Sequence, residues 1–241
     1  MIKKYSILTS WFALLLLLIV MSVILGRIVL SAENSEKVIQ FNLGNHVFHI
    51  PEKNSLEKGV PGWLRWLPGL DHSSREVLII FSAHEVSASV DGYQTEDGEY
   101  TEDIRGLLAV MNDVERRRYK DPSQYNDLWN ASGSYQERIV EEYRDGFYKV
   151  FRKVEYPYSW ALLKRNPEAA DHIPDDVSDF WVAHCLDGGS SVTKSGTHTT
   201  CKTRLVRDDL LIEFNVSEQN IGLVEEIGDF LVSEITSWQV H

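Results

Sequence analysis

Apolar and polar positions recur along the chain at spacings that change from one stretch to the next, and each spacing predicts a different element. Trp11–Leu25 is apolar apart from one serine, and the nineteen residues Ile7–Leu25 carry no charge. A run of about 20 such residues is long enough to cross a bilayer as a helix. The alternating stretches Val38–Leu43 and His46–Pro51, joined by Gly-Asn, instead predict a β-hairpin.

A second hairpin is predicted further along the chain. Its strands are Arg138–Tyr143 and Phe147–Lys153, and the Asp-Gly pair between them is a strong turn sequence. We expect two more strands, one over Val77–Phe81 that continues towards Val90 and one over Ser159–Leu163.

The apolar pattern over residues 104–118 fits either a helix or a strand. Their apolar positions have helical spacing, and Thr101 is placed to cap the first turn. These positions are Ile104, Leu107, Leu108, Met111 and Val114. We expect a helix here, with a buried strand over Leu107–Met111 as the alternative.

The last third of the chain predicts three strands followed by a helix. The strands are Phe180–Leu186, Thr199–Val206 and Leu210–Val216, and Ser217 would cap a helix that ends near Trp238. The apolar stripe of that helix is Val224, Ile227, Leu231, Ile235 and Trp238. The predicted fold class is α+β: antiparallel β-hairpins and a three-stranded meander packed by a C-terminal amphipathic helix, preceded by one N-terminal transmembrane helix.

The flanks of the apolar N-terminal run predict its orientation. Lys3 and Lys4 precede it, which favours a helix with its N-terminus in the cytoplasm. A cleaved signal peptide is the alternative, because small residues at Ser31 and Ala32 offer weak cleavage sites. We expect an uncleaved anchor.

Two regions follow from this assignment: a signal anchor over residues 1–31 and a periplasmic α+β domain over residues 32–241. The Pro- and Asp-rich connector at 166–179 could divide that domain into two subdomains. The exported region holds all 36 acidic residues and 21 basic ones, a net charge of −15. Such a domain repels nucleic acid, so we expect no nucleic-acid partner.

The two cysteines lie on the exported side, where an oxidising compartment favours a disulfide. Pairing the strands about a loop centre near Thr193 sets Cys185 opposite Cys201, so a disulfide is predicted between them. The nearby His184 and His198 complete a zinc-like mixture of residues. Adjacent strand residues point to opposite faces, however, so a metal site is not expected.

Sequence motifs for catalysis are partial. Ser191–Lys194 matches the S-x-x-K element of serine acyl-enzymes, and Lys194–Gly196 resembles their K-T-G element. Those enzymes hold the two elements far apart in sequence, whereas here they overlap in one Gly/Ser loop. We therefore predict that the protein is not an enzyme and has no catalytic residue, metal or cofactor. An exported hydrolase is the least favoured alternative.

With catalysis and metal binding not expected, the remaining functional prediction is a surface that binds a partner. A Pro/Gly-bracketed segment with two tryptophans is a candidate contact site, although it could close over the core or touch the membrane. An acidic run could fill a basic site on a partner, or could simply be a solvated loop. The candidate partner-binding residues are Trp63, Arg65, Trp66, Glu96, Asp97, Glu99, Glu102 and Asp103.

The opening segment Phe41–Leu56 and the tail carry a family resemblance. The tail joins Cys185 and Cys201 to the meander strand Ile212–Val216 and the helix Val224–Trp238. This layout resembles inner-membrane-anchored or periplasmic immunity proteins that protect bacteria against type VI secretion effectors, particularly lipase or phospholipase effectors.

The resemblance implies a function. It implies a protein partner, a co-encoded effector or toxin that the chain neutralises by binding and occluding it. It also implies attachment to the bacterial inner membrane through residues 7–25, with cleavage to a soluble periplasmic form as the alternative. A non-catalytic accessory or structural subunit of a cell-envelope complex is the competing function.

Overall fold

The computed structural model describes residues 37–56, 73–97, 100–188 and 199–240, and strands dominate these ranges. The strands are β1 (Val38–Leu43), β2 (His46–Pro51), β3 (Ser73–Ser74), β4 (Glu76–Phe81), β5 (Glu96–Asp97), β6 (Tyr100–Thr101), β7 (Ile104–Val110), β8 (Ile139–Glu142), β9 (Tyr148–Phe151), β10 (Ser159–Leu163), β11 (Trp181–Asp187), β12 (Thr199–Arg207), β13 (Leu210–Ser217) and β14 (Gln239–Val240). The α-helices are α1 (Ala83–Ser87), α2 (Asp113–Lys120), α3 (Asn126–Trp129) and α4 (Val224–Trp238). Short 3-10 turns occur at Glu52–Asn54, Pro122–Tyr125, Gly133–Tyr135, Arg144–Gly146, Lys153–Glu155, Val177–Asp179 and Ile221–Leu223.

Eight strands form the main sheet, in the order β4-β7-β13-β12-β11-β10-β9-β8. Every neighbouring pair in it is antiparallel. The predicted meander is therefore confirmed as β11-β12-β13, and the predicted second hairpin is confirmed as β8-β9. The α+β class with antiparallel sheets and a C-terminal helix is also confirmed.

The first predicted hairpin forms a smaller sheet of order β14-β2-β1-β3. Its turn is Gly44-Asn45, and Gly44 has φ +57°, a conformation that glycine adopts without strain. Phe41, Phe48 and Ile50 from this hairpin are buried in the main core. The alternation of apolar positions thus correctly predicted which face of the hairpin is covered.

The helix expected over residues 104–118 is wrong for its first half. Ile104–Val110 is the strand β7, between β4 and β13, and only Asp113–Lys120 is helical. The cap is Asn112 rather than Thr101: its side-chain oxygen accepts from the backbone N–H groups of Val114 and Glu115 at 2.9 and 3.0 Å. Apolar residues lie on both faces of this strand, with Ile104 and Leu108 on the buried face and Leu107 on the other, so its apolar pattern imitates helical spacing.

Two other predicted boundaries also differ. The strand expected to continue towards Val90 ends at Phe81, because Ser82 and Glu85 form a capping box that starts α1. Ser217 does not cap the C-terminal helix, since it is the last residue of β13 and α4 begins at Val224. The apolar stripe predicted for that helix is buried as expected.

The disulfide between Cys185 and Cys201 is confirmed. The two residues are directly opposite each other in the β11-β12 register, with Cα atoms 3.9 Å apart. Both are buried in the main core. This bond links the two strands on the face that packs against α4.

Two hydrophobic cores cover the sheet unequally. The main core lies between one face of the sheet, the first hairpin and α4, and Phe81 stacks on Trp238 there with ring centroids 5.3 Å apart. A smaller core, around Trp129 and Phe180, covers the other face only near β9 and β10. Val38–His241 forms one compact unit, and the main sheet takes strands from both sides of the connector at 166–179. The division into two subdomains stays a prediction about independent folding.

The expected anchor Trp11–Leu25 lies outside the described residues. In the part of the chain that the structure describes, no helix is long and apolar enough to span a bilayer.

Candidate interaction surface

One half of the main sheet's second face is left open by the smaller core. Strand alternation places Leu78, Leu107, Glu213 and Arg204 in one row across this half, in register from β4 to β12. Leu78 is 47% exposed at the edge of the row. We call this region, from β4 to β12, the open sheet face.

Helix α2 stands beside the open sheet face and forms a groove with it. The cavity volume of this α2 groove is about 500 Å³, within the usual range for ligand pockets. Its lining combines apolar strand residues with charged residues that come from the strands and from α2. The lining residues are Arg75, Glu76, Leu107, Ala109, Val110, Met111, Glu115, Arg118, Tyr119, Gln124, Arg204, Leu211 and Glu213.

Arg204 is held at the wall of this groove by aromatic side chains. Its guanidinium carbon lies 4.8 Å from the ring centre of Tyr119 and 5.0 Å from that of Trp181. One of its terminal nitrogens, Nη2, donates to the Tyr119 carbonyl at 3.4 Å and to the Tyr125 hydroxyl at 3.2 Å. Stacking and hydrogen bonding together restrict the side chain to one orientation.

The aromatic partners of Arg204 are themselves fixed. Tyr125 makes an edge contact with the buried Phe180 at 5.6 Å between ring centroids. Burial raises the pKa of Tyr125, and the charge of Arg204 only partly opposes that effect. Tyr125 therefore stays neutral at physiological pH and keeps its hydroxyl available to Arg204.

The acidic residues of the groove are engaged within the chain. Glu213 lies opposite Arg204 in the β12-β13 register, yet it pairs with Lys202 at 2.6 Å. Glu115 accepts from the Asn112 backbone N–H at 2.9 Å in the capping box of α2 and lies 3.8 Å from Arg75. These two of the three lining glutamates thus help to hold the helix and the sheet in place.

Most of the sequence-predicted contact residues lie away from this groove. Trp63, Arg65, Trp66 and Glu99 are outside the described residues, and of Asp97 only the backbone, in β5, is described. Their role in partner binding stays a prediction.

The remaining three acidic candidates have different environments. Glu96 is exposed. Glu102 is buried, with 6% of its surface exposed, so the alternative of a solvated loop does not hold at this position. Asp103 accepts from the Ala83 backbone N–H at 2.9 Å at the start of α1. Glu102 and Asp103 therefore have structural surroundings, whereas Glu96 is accessible.

A serine and a histidine meet on the same face of the sheet. Ser159 Oγ lies 3.2 Å from His184 Nε2, and Ser159 is 8% exposed. Burial lowers the pKa of His184, and the positive charge of Arg152 lowers it further. In catalytic triads an acid orients the second ring nitrogen. Among the described residues, no hydrogen bond joins a carboxylate to His184.

The residues with a zinc-like composition are only partly described, because His198 lies outside the described residues. Cys185 and Cys201 are joined in the disulfide. Within the described ranges, no group of three or more His, Cys, Asp or Glu side chains is placed to hold a metal ion.

Sequence reasoning did not identify the α2 groove. Arg204 and Tyr119 are 85 residues apart, and no local motif connects them. Two features of the sequence could have indicated the groove. Arg204 is a charged residue within a predicted strand, and the connector that follows α2 is rich in aromatic residues.

Comparison with known proteins finds similarity in fold among solved structures but not in sequence. No family model matches the chain, and no curated protein matches it. The structure is similar to that of Smlt3025, an immunity protein of the Stenotrophomonas maltophilia type IV secretion system. The sequence identity is 9%, the TM-score is 0.46, and the match covers 86% of this chain and 94% of the other.

Proposed function

We propose that the chain is a membrane-anchored periplasmic binding protein that neutralises a secreted antibacterial effector by binding and occluding it. The observation that carries this proposal is the α2 groove, with Arg204 held between Tyr119 and Trp181 at its wall. Arginine, tyrosine and tryptophan are the residues that dominate binding energy at protein interfaces. A side chain that is already fixed loses little conformational entropy on binding.

Occlusion of an effector requires more area than this groove offers. A stable interface buries about 800 Å² on each partner. The open sheet face extends the groove with further accessible side chains, including the apolar Leu78, which is 47% exposed. A partner that covers both regions would be blocked sterically, with no chemical step.

Two features support the proposed location. The Cys185–Cys201 disulfide suits an oxidising compartment such as the periplasm. The uncharged segment Ile7–Leu25 has the length of a membrane anchor. Because the sequence resembles immunity proteins of type VI effectors, a type VI effector encoded beside this chain is the first partner to test.

Sibling competition tests this function and does not require that the effector be identified first. A strain that lacks this chain is grown in contact with its otherwise identical parent, and the survival of the two strains is counted. Loss of an immunity protein exposes the deletion strain to the parent's effector. We expect its survival to fall sharply and to recover when the full chain is supplied in trans.

The control is a parent strain whose secretion system is inactive, against which the deletion strain should survive normally. Equal survival of the deletion strain against active and inactive parents refutes the proposed function. If the deletion instead weakens the envelope in the absence of any competitor, an accessory subunit of an envelope complex becomes the better assignment.

A further inference from the structure

Two arginines of the α2 groove, Arg118 and Arg204, have no close carboxylate partner in the described part of this chain. Within that part, no carboxylate lies within 4 Å of the guanidinium of Arg118 or Arg204, both of which line the groove. The glutamates beside them are already used, Glu115 in the helix cap and Glu213 in its pair with Lys202. Three arginines and three glutamates line the groove, so its formal charge is balanced, and Arg118 and Arg204 are the cations in it that have no described ion-pair partner.

The orientation of Arg204 leaves part of its donor fork available. Both hydrogen bonds that it makes with described residues, to Tyr119 and Tyr125, use the same nitrogen, Nη2. The guanidinium has five N–H donors in a rigid plane, and that geometry matches the two oxygens of a carboxylate. With Nη2 engaged by the two tyrosines, a ligand would meet the other N–H groups of Arg204.

The floor beside these arginines is apolar. Leu107 and Ala109 of β7 and Leu211 of β13 line it, and they lie on neighbouring strands in the sheet register. Leu107 and Ala109 are only half-buried. An apolar side chain placed on this floor would be removed from water next to the charged wall.

These observations identify the kind of partner segment that fits. We infer that the α2 groove receives a segment of the partner protein in which a carboxylate side chain is followed or preceded by an apolar residue. Arg204 and Arg118 bind the carboxylate, and the Leu107–Ala109–Leu211 floor takes the apolar side chain. This inference rests on the proposed function and adds the chemistry of the contact.

Charge complementarity favours a peptide carboxylate over a polyanion. Nucleic acid would bring many phosphates against an acidic protein, and repulsion over the rest of the surface would oppose binding. A single carboxylate requires only the two arginines without a described partner. At physiological ionic strength, interactions beyond about 8 Å are screened, so acidic residues far from the groove oppose this contact little.

Two labelled peptides that differ in one atom group test the inference. The probes are acetylated heptapeptides with a central Glu-Leu or Gln-Leu pair in a Gly/Ser background, titrated with the full chain in detergent micelles and followed by fluorescence anisotropy. We expect saturable binding of the Glu-Leu peptide and about tenfold weaker binding of the Gln-Leu peptide, a difference of about 1.4 kcal/mol. Equal binding of the two peptides, or none, overturns the inference.

Matched arginine variants locate the site. Arg118→Gln and Arg204→Gln should each weaken the Glu-Leu peptide about tenfold, and Arg204→Lys should not restore it because lysine lacks the planar fork. Arg116→Gln is the control: it removes the same charge from α2, but Arg116 pairs with Asp113 at 2.7 Å and does not line the groove. Equal losses for Arg116→Gln and Arg204→Gln would contradict the assignment.

Arg118 is exposed, so its variant tests the groove even if Arg204→Gln perturbs the aromatic cluster. Competition by millimolar inorganic phosphate separates the alternatives further. Complete displacement of the peptide would indicate a general oxyanion site and refute a peptide-specific groove.

Sibling competition separates this inference from the proposed function. If the wild-type chain protects a deletion strain and the Arg118→Gln/Arg204→Gln double variant does not, both stand. If both chains protect equally, the groove assignment fails while the immunity function stands. If the wild-type chain itself gives no protection, the function fails, and the peptide titrations alone decide the chemistry of the groove.

Discussion

Reduction of the Cys185–Cys201 disulfide should destabilise the protein by about 3 kcal/mol. The bond joins residues separated by 16 positions in the sequence. In the chain-entropy model, a cross-link over a loop of about 15 residues restricts the unfolded chain by about 3 kcal/mol at 25 °C. The bond joins residues that are already opposite each other in the β11-β12 register, so the folded chain needs no rearrangement to accommodate it.

Urea unfolding of the full chain, followed by tryptophan fluorescence with and without a reducing agent, measures this difference. With a urea dependence of about 2–3 kcal/mol per molar, 3 kcal/mol corresponds to a midpoint lower by about 1–1.5 M. The double variant Cys185→Ala/Cys201→Ala is the control, because its midpoint should not respond to the reducing agent.

A midpoint shift below about 0.3 M on reduction would refute the entropy argument. Such a result would mean that the β11-β12 hairpin persists in the unfolded ensemble and restricts it without the bond. A large shift in the control variant would instead show that the reducing agent acts elsewhere.

Two further predictions concern packing and pH. Gly106→Ala should destabilise the fold by about 1–3 kcal/mol, because a Cβ at Gly106 would lie 2.6 Å from the Glu213 carbonyl oxygen. The control is Arg105→Ala, a change at an exposed residue of the same strand. In the same urea assay it should change the free energy of unfolding by no more than about 0.5 kcal/mol. Glu218 is subject to burial, which raises its pKa, but hydrogen bonds from Lys149 and Tyr143 and the charge of Lys149 outweigh burial and hold the pKa below 4.5. The stability that Glu218 contributes is therefore present above pH 4.5 and lost as pH falls through the lowered pKa. The difference in urea midpoint between wild type and Glu218→Gln should therefore narrow below pH 4.5. A difference that stays constant with pH would contradict this origin of the stability.

Local sequence predicted those parts of the fold that local chemistry determines. The turns Gly44-Asn45 and Asp145-Gly146 join strands that pair with their immediate neighbours in the chain, and both hairpins were predicted correctly. The Cys185–Cys201 pair was predicted because a loop of known length determines the register on either side of it. In each case the partner residues are close in sequence.

Residues 104–118 show where this reasoning fails. Ile104 and Leu108 face the main core and are buried, while Leu107 lies on the open sheet face. Apolar residues on both faces of a strand produce the i, i+3, i+4 spacing of a helix. The strand is specified by its neighbours β4 and β13, which pair with it from distant parts of the chain, so its own pattern could not decide between the two elements.

The α2 groove was beyond sequence reasoning for a related reason. It exists because the segment that follows β7 covers the second face of the sheet over β9 and β10 but stops short of β4 and β7. The same segment supplies Tyr119 and Tyr125, which hold Arg204 at the boundary between the covered and open halves.

Arg204, at that boundary, is partly removed from water, and among the described residues no carboxylate forms an ion pair with it. Its aromatic neighbours recover part of the lost hydration through cation–π contact, which is worth about 0.5–2 kcal/mol. A partner carboxylate would recover more, because charge-assisted bidentate hydrogen bonds are about twice as strong as neutral ones. If a partner carboxylate occupies the α2 groove as inferred above, we expect the position of Arg204 to be more favourable in that complex than in the free chain.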